Sequence, residues 1–265
     1  MRLTDTHCHL NLDQFDKDRE EVILRGFDVG VERFLIPGID IETSRSALEL
    51  ADKYPQIFVA VGVQPNSGMG WTNRTLKEVE EMASHPKVVA IGEIGLDYYW
   101  DKTPKEKQAK IFFQQLELAM EMDLPVVIHN REATEDTLAM LKRWFAKLTE
   151  SESDLVSRPG VLHSFSGNVE DAKQANEINF FLSISGPVTY KNAKILREVI
   201  ARCDIEKLLI ETDSPYLTPQ RFRGQRNEPS YVSFIANKIS EIRELSIEEV
   251  ANKTAENAEK LFNWN

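Results

Sequence analysis

The chain has 265 residues, 42% of them hydrophobic, with 32 basic and 43 acidic side chains for a net charge of −11. That length is close to the ~250 residues of a (β/α)₈ barrel, and no apolar run reaches the ~18 residues needed to span a membrane. The acidic balance argues against a protein that coats duplex nucleic acid, an interaction made largely by Lys and Arg on phosphates, yet it leaves room for an enzyme at a strand end, where metal ions supply the positive charge.

In chain order, apolar strand signals alternate with segments of helical spacing. The first run, 2–8, ends in His7-Cys8-His9. Alternation puts His7 and His9 on one face and Cys8 on the other, and Asp5 shares the parity of the histidines. Runs at 32–37 and 57–63 follow, the latter leading into Gly62-Val63-Gln64-Pro65-Asn66. The run 87–92 delivers Glu93 within IGEIGLD. After a helical segment over 104–122 comes 124–129, ending at His129 in VVIHNREA. A second helical segment, 134–148, precedes 160–164 and His163 in VLHSFSG. Runs at 180–184 and 207–211 complete eight strands, the last carrying Glu211 and Asp213 in LLIETDSPYL. An arginine-rich loop (Arg221, Arg223, Arg226) and an amphipathic helix over 246–262 finish the chain.

Near-continuous Val/Ile/Leu runs are what strands covered on both faces require, the mark of a parallel sheet. Glu93 to His129 is 36 residues and His129 to His163 is 34, each about one βα unit. Ligands from the first, fourth, fifth, sixth and eighth strands cannot converge along an open sheet whose strands lie ~4.8 Å apart. Around a closed barrel all the strand ends ring one centre. The expectation is therefore an α/β fold, a (β/α)₈ TIM barrel with an extra C-terminal helix, forming one domain over 1–265. No hydrophobic leader precedes the DTHCH segment, and two cysteines make no disulfide framework, so a cytoplasmic location is expected.

His7, His9, Glu93, His129, His163 and Asp213 each follow a strand-like run. Imidazoles with carboxylates suit Zn²⁺, Mn²⁺ or another divalent ion, and six such positions suffice for two. Two ions bridged by a carboxylate acidify a shared water and hold a phosphoryl oxygen. Asp213, on the last strand, is the favoured general base. Glu211 shares its parity and is expected to lie behind or beside the ligands.

The motifs D-T-H-C-H-L, A-I-G-E-I-G-L-D-Y, P-V-V-I-H-N-R, V-L-H-S-F-S-G, I-S-G-P-V-T and L-L-I-E-T-D-S-P-Y-L resemble the TatD family of metal-dependent deoxyribonucleases, in the amidohydrolase superfamily. The likeness runs on through R-G-Q-R-N-E-P at 223–229. It implies a TIM-barrel hydrolase with divalent ions (Zn, Mn or Mg) that cleaves DNA phosphodiesters from the 3′ end. It also implies that His7, His9 and Asp213 hold one ion, His129 and His163 a second, and Glu93 both, which makes Glu93 and Asp213 the catalytic carboxylates. The expected substrate is single-stranded or frayed DNA, with no membrane or stable protein partner. The sequence departs from the family at Gln64 and Asn66, where G-x-H-P-H is usual, and at Glu132, where aspartate is usual. Gln64, Arg131, Arg226 and Asn227 are expected to contact substrate, and Trp71, Tyr98, Tyr99, Trp100 and Tyr190 are placed to stack bases. Alternatives on the same scaffold are an ester, lactone or amide hydrolase, or a metal-bound binding protein without turnover.

Overall fold

The computed structural model describes residues 1–264, with eight parallel strands hydrogen-bonded in the order β1 to β8. They are β1 Leu3–Asp5, β2 Val31–Pro37, β3 Ile57–Val61, β4 Val88–Asp97, β5 Val126–Arg131, β6 Gly160–Leu162, β7 Phe181–Ile184 and β8 Leu208–Ile210. Helices α1 Arg19–Asp28, α2 Ile41–Ala51, α3 Asn73–Ala83, α4 Lys105–Glu121, α5 Thr134–Glu150, α6 Val169–Glu177 and α7 Lys194–Arg202 each follow the strand of the same number. After β8 come α8 Val232–Arg243 and α9 Ile247–Phe262. No helix among the described residues is long and apolar enough to cross a membrane.

The ring closes between β8 and β1. Thr6 N donates to Ile210 O at 3.1 Å, His9 N to Ser214 O at 2.8 Å, and Cys8 and Ser214 form a parallel bridge. Closure meets the backbone needs of both edge strands, which an open sheet would leave exposed. A buried cluster takes Leu35, Ala60, Ala90, Val127, Val161, Phe181 and Leu209 from seven successive strands. Side chains from so many strands can meet only in the barrel lumen. Phe262 and Trp264, at the end of α9, belong to the same cluster and plug its lower mouth. The expected extra helix is therefore the barrel's floor. A larger second core lies between the strands and the outer helices, and Cys8 packs there as its parity required.

Several strand ends differ from expectation, and four of them bear on the site. β1, β6 and β8 stop at Asp5, Leu162 and Ile210, so His7, His9, His163 and Asp213 stand just past the ladder. Ser164 and Asp213 have φ of +43° and +55°, left-handed backbone that turns the chain over the barrel mouth. β4, by contrast, runs five residues beyond its expected end and stays paired with β5 through Gly95↔His129 and Asp97↔Arg131. Gly95 permits this at φ +143°, because a Cβ there would lie 2.0 Å from His129 O. The long β4–β5 pair raises one side of the mouth as a wall.

Candidate metal centre

The six expected ligands converge at the C-terminal end of the barrel in two groups that share one carboxylate. His7 Nε2 and His9 Nε2 stand 3.2 Å apart, and Asp213 Oδ1 lies 3.7 and 3.5 Å from them. On the other side, His129 Nδ1 is 2.6 Å from Glu93 Oε1, and His163 Nε2 is 3.3 Å from the same oxygen. The second oxygen, Glu93 Oε2, faces His7 and His9 at 3.6 and 3.9 Å. Glu93 thus presents one oxygen to each group. Both groups fall within the span of ligand atoms that one metal ion draws together.

Glu93, Asp213 and Glu211 are all buried, and among the described residues only histidines approach them as cations. Burying carboxylates without compensating charge is costly. Burial pushes the Glu93 carboxyl up, but the charge of His163 and hydrogen bonds from His129, His163 and His7 outweigh it and hold the group well below the usual range. Asp213 is likewise pushed up by burial and brought below its ordinary value by His9, His7 and His163. Burial lowers His163, yet Glu93 and Glu211 raise it well above an ordinary imidazole. Burial and the neighbouring His163 depress His7. The carboxylates demand positive charge at the centre, and protons on His163 and His129 meet part of that demand. Divalent cations fit this donor set and would displace those protons on binding.

Two further carboxylates hold the imidazoles from behind. Asp97 Oδ2 accepts from His129 Nε2 at 3.0 Å and from Asn66 Nδ2 at 2.8 Å, while Asp97 Oδ1 accepts the Tyr99 and Trp100 amides at 3.0 Å each. Burial pushes Asp97 up, but these bonds, His129 first, bring it down to about 2. With its Nε2 proton held there, His129 turns Nδ1 towards the centre, the carboxylate–histidine arrangement common around metals. Glu211 stands behind His163 at ion-pairing distance, without closing a hydrogen bond to it. Its Oε1 accepts from Ser164 N at 2.7 Å and lies 3.4 Å from His163 Nδ1, opposite the ring nitrogen that faces Glu93. Asp5 is fully buried, and its carboxylate accepts from Thr212 N, Thr212 Oγ1 and His7 N. It ties the His7 strand to the Asp213 strand from within, and burial lifts it to about 8 against those bonds. Asp97 escaped the sequence reading, although it shares Glu93's parity four residues along the same strand.

A cleft of about 830 Å³ opens above the centre, lined by Glu93, Asp213, Gln64, Asn66 and Arg131 among others. The expected substrate contacts divide here. Gln64 and Arg131 face the cleft. Asn227 does not: it is fully buried, and its amide donates to Thr212 O at 2.8 Å and Tyr216 O at 2.6 Å. Arg226 is bound through its two terminal guanidinium nitrogens to Asp18, at 2.8 and 2.6 Å, and reaches Gln14 O. In both cases donors that the sequence offers to phosphate are engaged within the fold: both amide hydrogens of Asn227 and the two terminal nitrogens of Arg226 already have protein partners. Arg221 and Arg223 lie over the rings of Phe222 and Tyr190. Asn66, two residues beyond Gln64, lines the cleft as well and donates to Asp97.

The sequence profile of TatD-related DNases matches residues 4–263. An uncharacterized metal-dependent hydrolase of Bacillus subtilis, YabD, is 46% identical over 263 residues, covering 99% of this chain and all of that protein. The 3′-5′ ssDNA/RNA exonuclease TatD of Escherichia fergusonii is 35% identical over 264 residues, covering 97% and 98% of the two chains. The crystal structure of YjjV, a TatD homologue from Escherichia coli K12, superposes with a TM-score of 0.91 at 31% identity, covering 99% and 98%. Barrel, paired ligand groups and full-length similarity agree, and the chain belongs to the TatD family of metal-dependent hydrolases.

Proposed function

We propose that this chain, acting as one catalytic domain over its whole length, is a metal-dependent phosphodiesterase that releases nucleotides from single-stranded or frayed DNA ends in the 3′-to-5′ direction. The observation that carries the reading is Glu93, whose two oxygens each face a separate set of ligands within hydrogen-bonding or near-coordination range. A site for two divalent ions (Zn, Mn or Mg) follows, with His7, His9 and Asp213 on one side and His129 and His163 on the other. Such ions lower the pKa of water towards neutrality and neutralise charge on a phosphoryl oxygen. The similarity to a named ssDNA/RNA exonuclease supports nucleic acid as the substrate class.

The chain's own groups do the remaining work. Asp213 lines the cleft beside both histidines of its group, placed to take a proton from the attacking water. Glu93 keeps the two ligand sets in register. Asp97 and Glu211 back His129 and His163, so that the nitrogens facing Glu93 are presented to the centre, where bound ions would displace the protons they carry. Arg131 and Gln64 receive the substrate at the mouth, Gln64 with a neutral hydrogen bond at the position where the family resemblance leads one to expect imidazole. Both cysteines are free and buried, which suits a reducing compartment, and we assign the activity to the cytoplasm.

The test is release of mononucleotides from single-stranded oligonucleotides labelled at either end, with Mn²⁺ or Mg²⁺, beside a panel of lactones, carboxylic esters and amides. Loss of the 3′ label first supports the reading. Turnover of the panel alone assigns the barrel to ester or amide hydrolysis, and no turnover with both ions bound assigns it to metal-dependent binding.

A further inference from the structure

Five aromatic residues were placed by sequence on or near the loops above the barrel, and the structure separates them. Trp71 donates its indole N–H to Gln114 and packs against the core. Tyr98 donates to Asp136 and lies under Lys105. Tyr190 donates to Thr218 O and lies under Arg223. Tyr99 and Trp100 remain, 50% and 47% exposed, in edge-to-face contact with ring centroids 4.9 Å apart. Their position is set by the metal centre itself. Both of their backbone amides are bound by Asp97 Oδ1, while Asp97 Oδ2 holds the ligand His129.

Two cations complete this rim. The Arg131 guanidinium, raised on β5 opposite Asp97, lies 3.9 Å from the Tyr99 ring centroid and 5.7 Å from that of Trp100. The Lys102 ammonium is 5.7 Å from the Trp100 ring. Among the described residues neither cation has a carboxylate within ion-pairing distance, whereas Arg19, Arg25 and Arg226 are all paired with acids. Trp100, Lys102 and Arg131 line the cleft. In a chain of net charge −11, unpaired cations over half-exposed rings at a cleft mouth are a specific arrangement. An aromatic face takes an unstacked base, and a guanidinium takes a phosphate.

The geometry points to a nucleotide subsite on the β4–β5 wall, where Trp100 stacks the base next to the bond to be cut and Arg131 with Lys102 grips its phosphate. A base must leave the duplex to lie on Trp100, so the subsite selects single strands and frayed ends before any bond is broken. The inference rests on the nuclease reading above.

Two single-stranded oligonucleotides test it, identical except that one carries abasic residues at its last four 3′ positions. The wild-type protein gives a KM at least tenfold higher on the abasic strand. Trp100→Ala raises KM on the normal strand by about tenfold and on the abasic strand by far less, so the two converge, and Trp100→Phe restores most of the difference. Arg131→Ala raises KM on both strands and flattens its dependence on salt, since one phosphate contact is gone. Thermal melting checks that the variants remain folded. If the wild type does not discriminate the strands, or if Trp100→Ala raises KM equally on both, the subsite is refuted and the nuclease reading stands. If the wild type releases nucleotides from neither strand, the nuclease reading fails and takes the subsite with it.

Discussion

Asp97→Asn is the most informative single change, because shape is kept while one proton is misplaced. The side-chain oxygen facing Tyr99 N and Trp100 N, each 3.0 Å away, must remain an acceptor, or two donors would confront a third. The new amide NH₂ is therefore forced to the other side, against His129 Nε2 at 3.0 Å and Asn66 Nδ2 at 2.8 Å. Asn66 can answer by turning its own oxygen inward, an atom with no partner in the wild type. His129 can answer only by moving its proton from Nε2 to Nδ1, the nitrogen 2.6 Å from Glu93 that must stay bare to hold an ion. The loss is one charge-assisted hydrogen bond, worth about 1.5–3 kcal/mol. That corresponds to roughly 10- to 100-fold in affinity, the range usual for residues that orient metal ligands. Titration of the metal-free protein with Mn²⁺ or Zn²⁺ should show the affinity beside His129 and His163 reduced by that factor and the affinity beside His7 and His9 nearly intact. The rate of phosphodiester hydrolysis should fall with occupancy and recover at high metal. Two equal reductions, or none, would refute the argument from the tautomer.

Asp213→Asn should lower kcat by about 10²–10⁴-fold, the usual contribution of a general base, with metal content by elemental analysis largely retained; loss of both ions and of the fold would instead make Asp213 a structural ligand. Gln64→His should lower KM on an oligonucleotide about fivefold, the roughly 1 kcal/mol by which a charged hydrogen bond exceeds a neutral one, and by more below pH 7; a KM unchanged at every pH removes Gln64 from the substrate site. Asn227→Ala strips the buried Thr212 carbonyl, and the Tyr216 carbonyl beside it, of their donor, which should cost about 1–3 kcal/mol and a few degrees of Tm at this size; a raised KM with Tm unchanged would return Asn227 to the substrate. Glu228, pushed up by burial, is held below the ordinary carboxylate range by Arg25 and Ser230. A depressed acid contributes stability that is complete above its unfolded pKa of about 4.3 and disappears as pH falls through the lower folded value. Melting between pH 3 and 6 should therefore show a shallower acid limb for Glu228→Gln than for wild type, and superimposable limbs would exclude the pair as a source of acid lability.

Much of this molecule is written locally. Strand runs, their spacing of about one βα unit, and ligands at corresponding places within the units depend on near neighbours, and closure follows from the need of distant ligands to meet. His7, His9, Glu93, His129, His163 and Asp213 were legible for that reason. What tertiary structure alone decided is where spare hydrogen-bond donors and acceptors go. Arg226 and Asn227 look in sequence like the other polar residues above the barrel, but Asp18, more than 200 residues away, takes the first, and the backbone beside Asp213 takes the second. Asp97 reads as the end of a strand motif until β5 brings His129 against it. Tyr99 and Trp100 differ from Trp71, Tyr98 and Tyr190 in that, among the described residues, no hydrogen bond engages their side chains. Periodicity fixes which face a side chain occupies, whereas its chemical availability depends on partners remote in the chain, and those become neighbours only when the barrel closes.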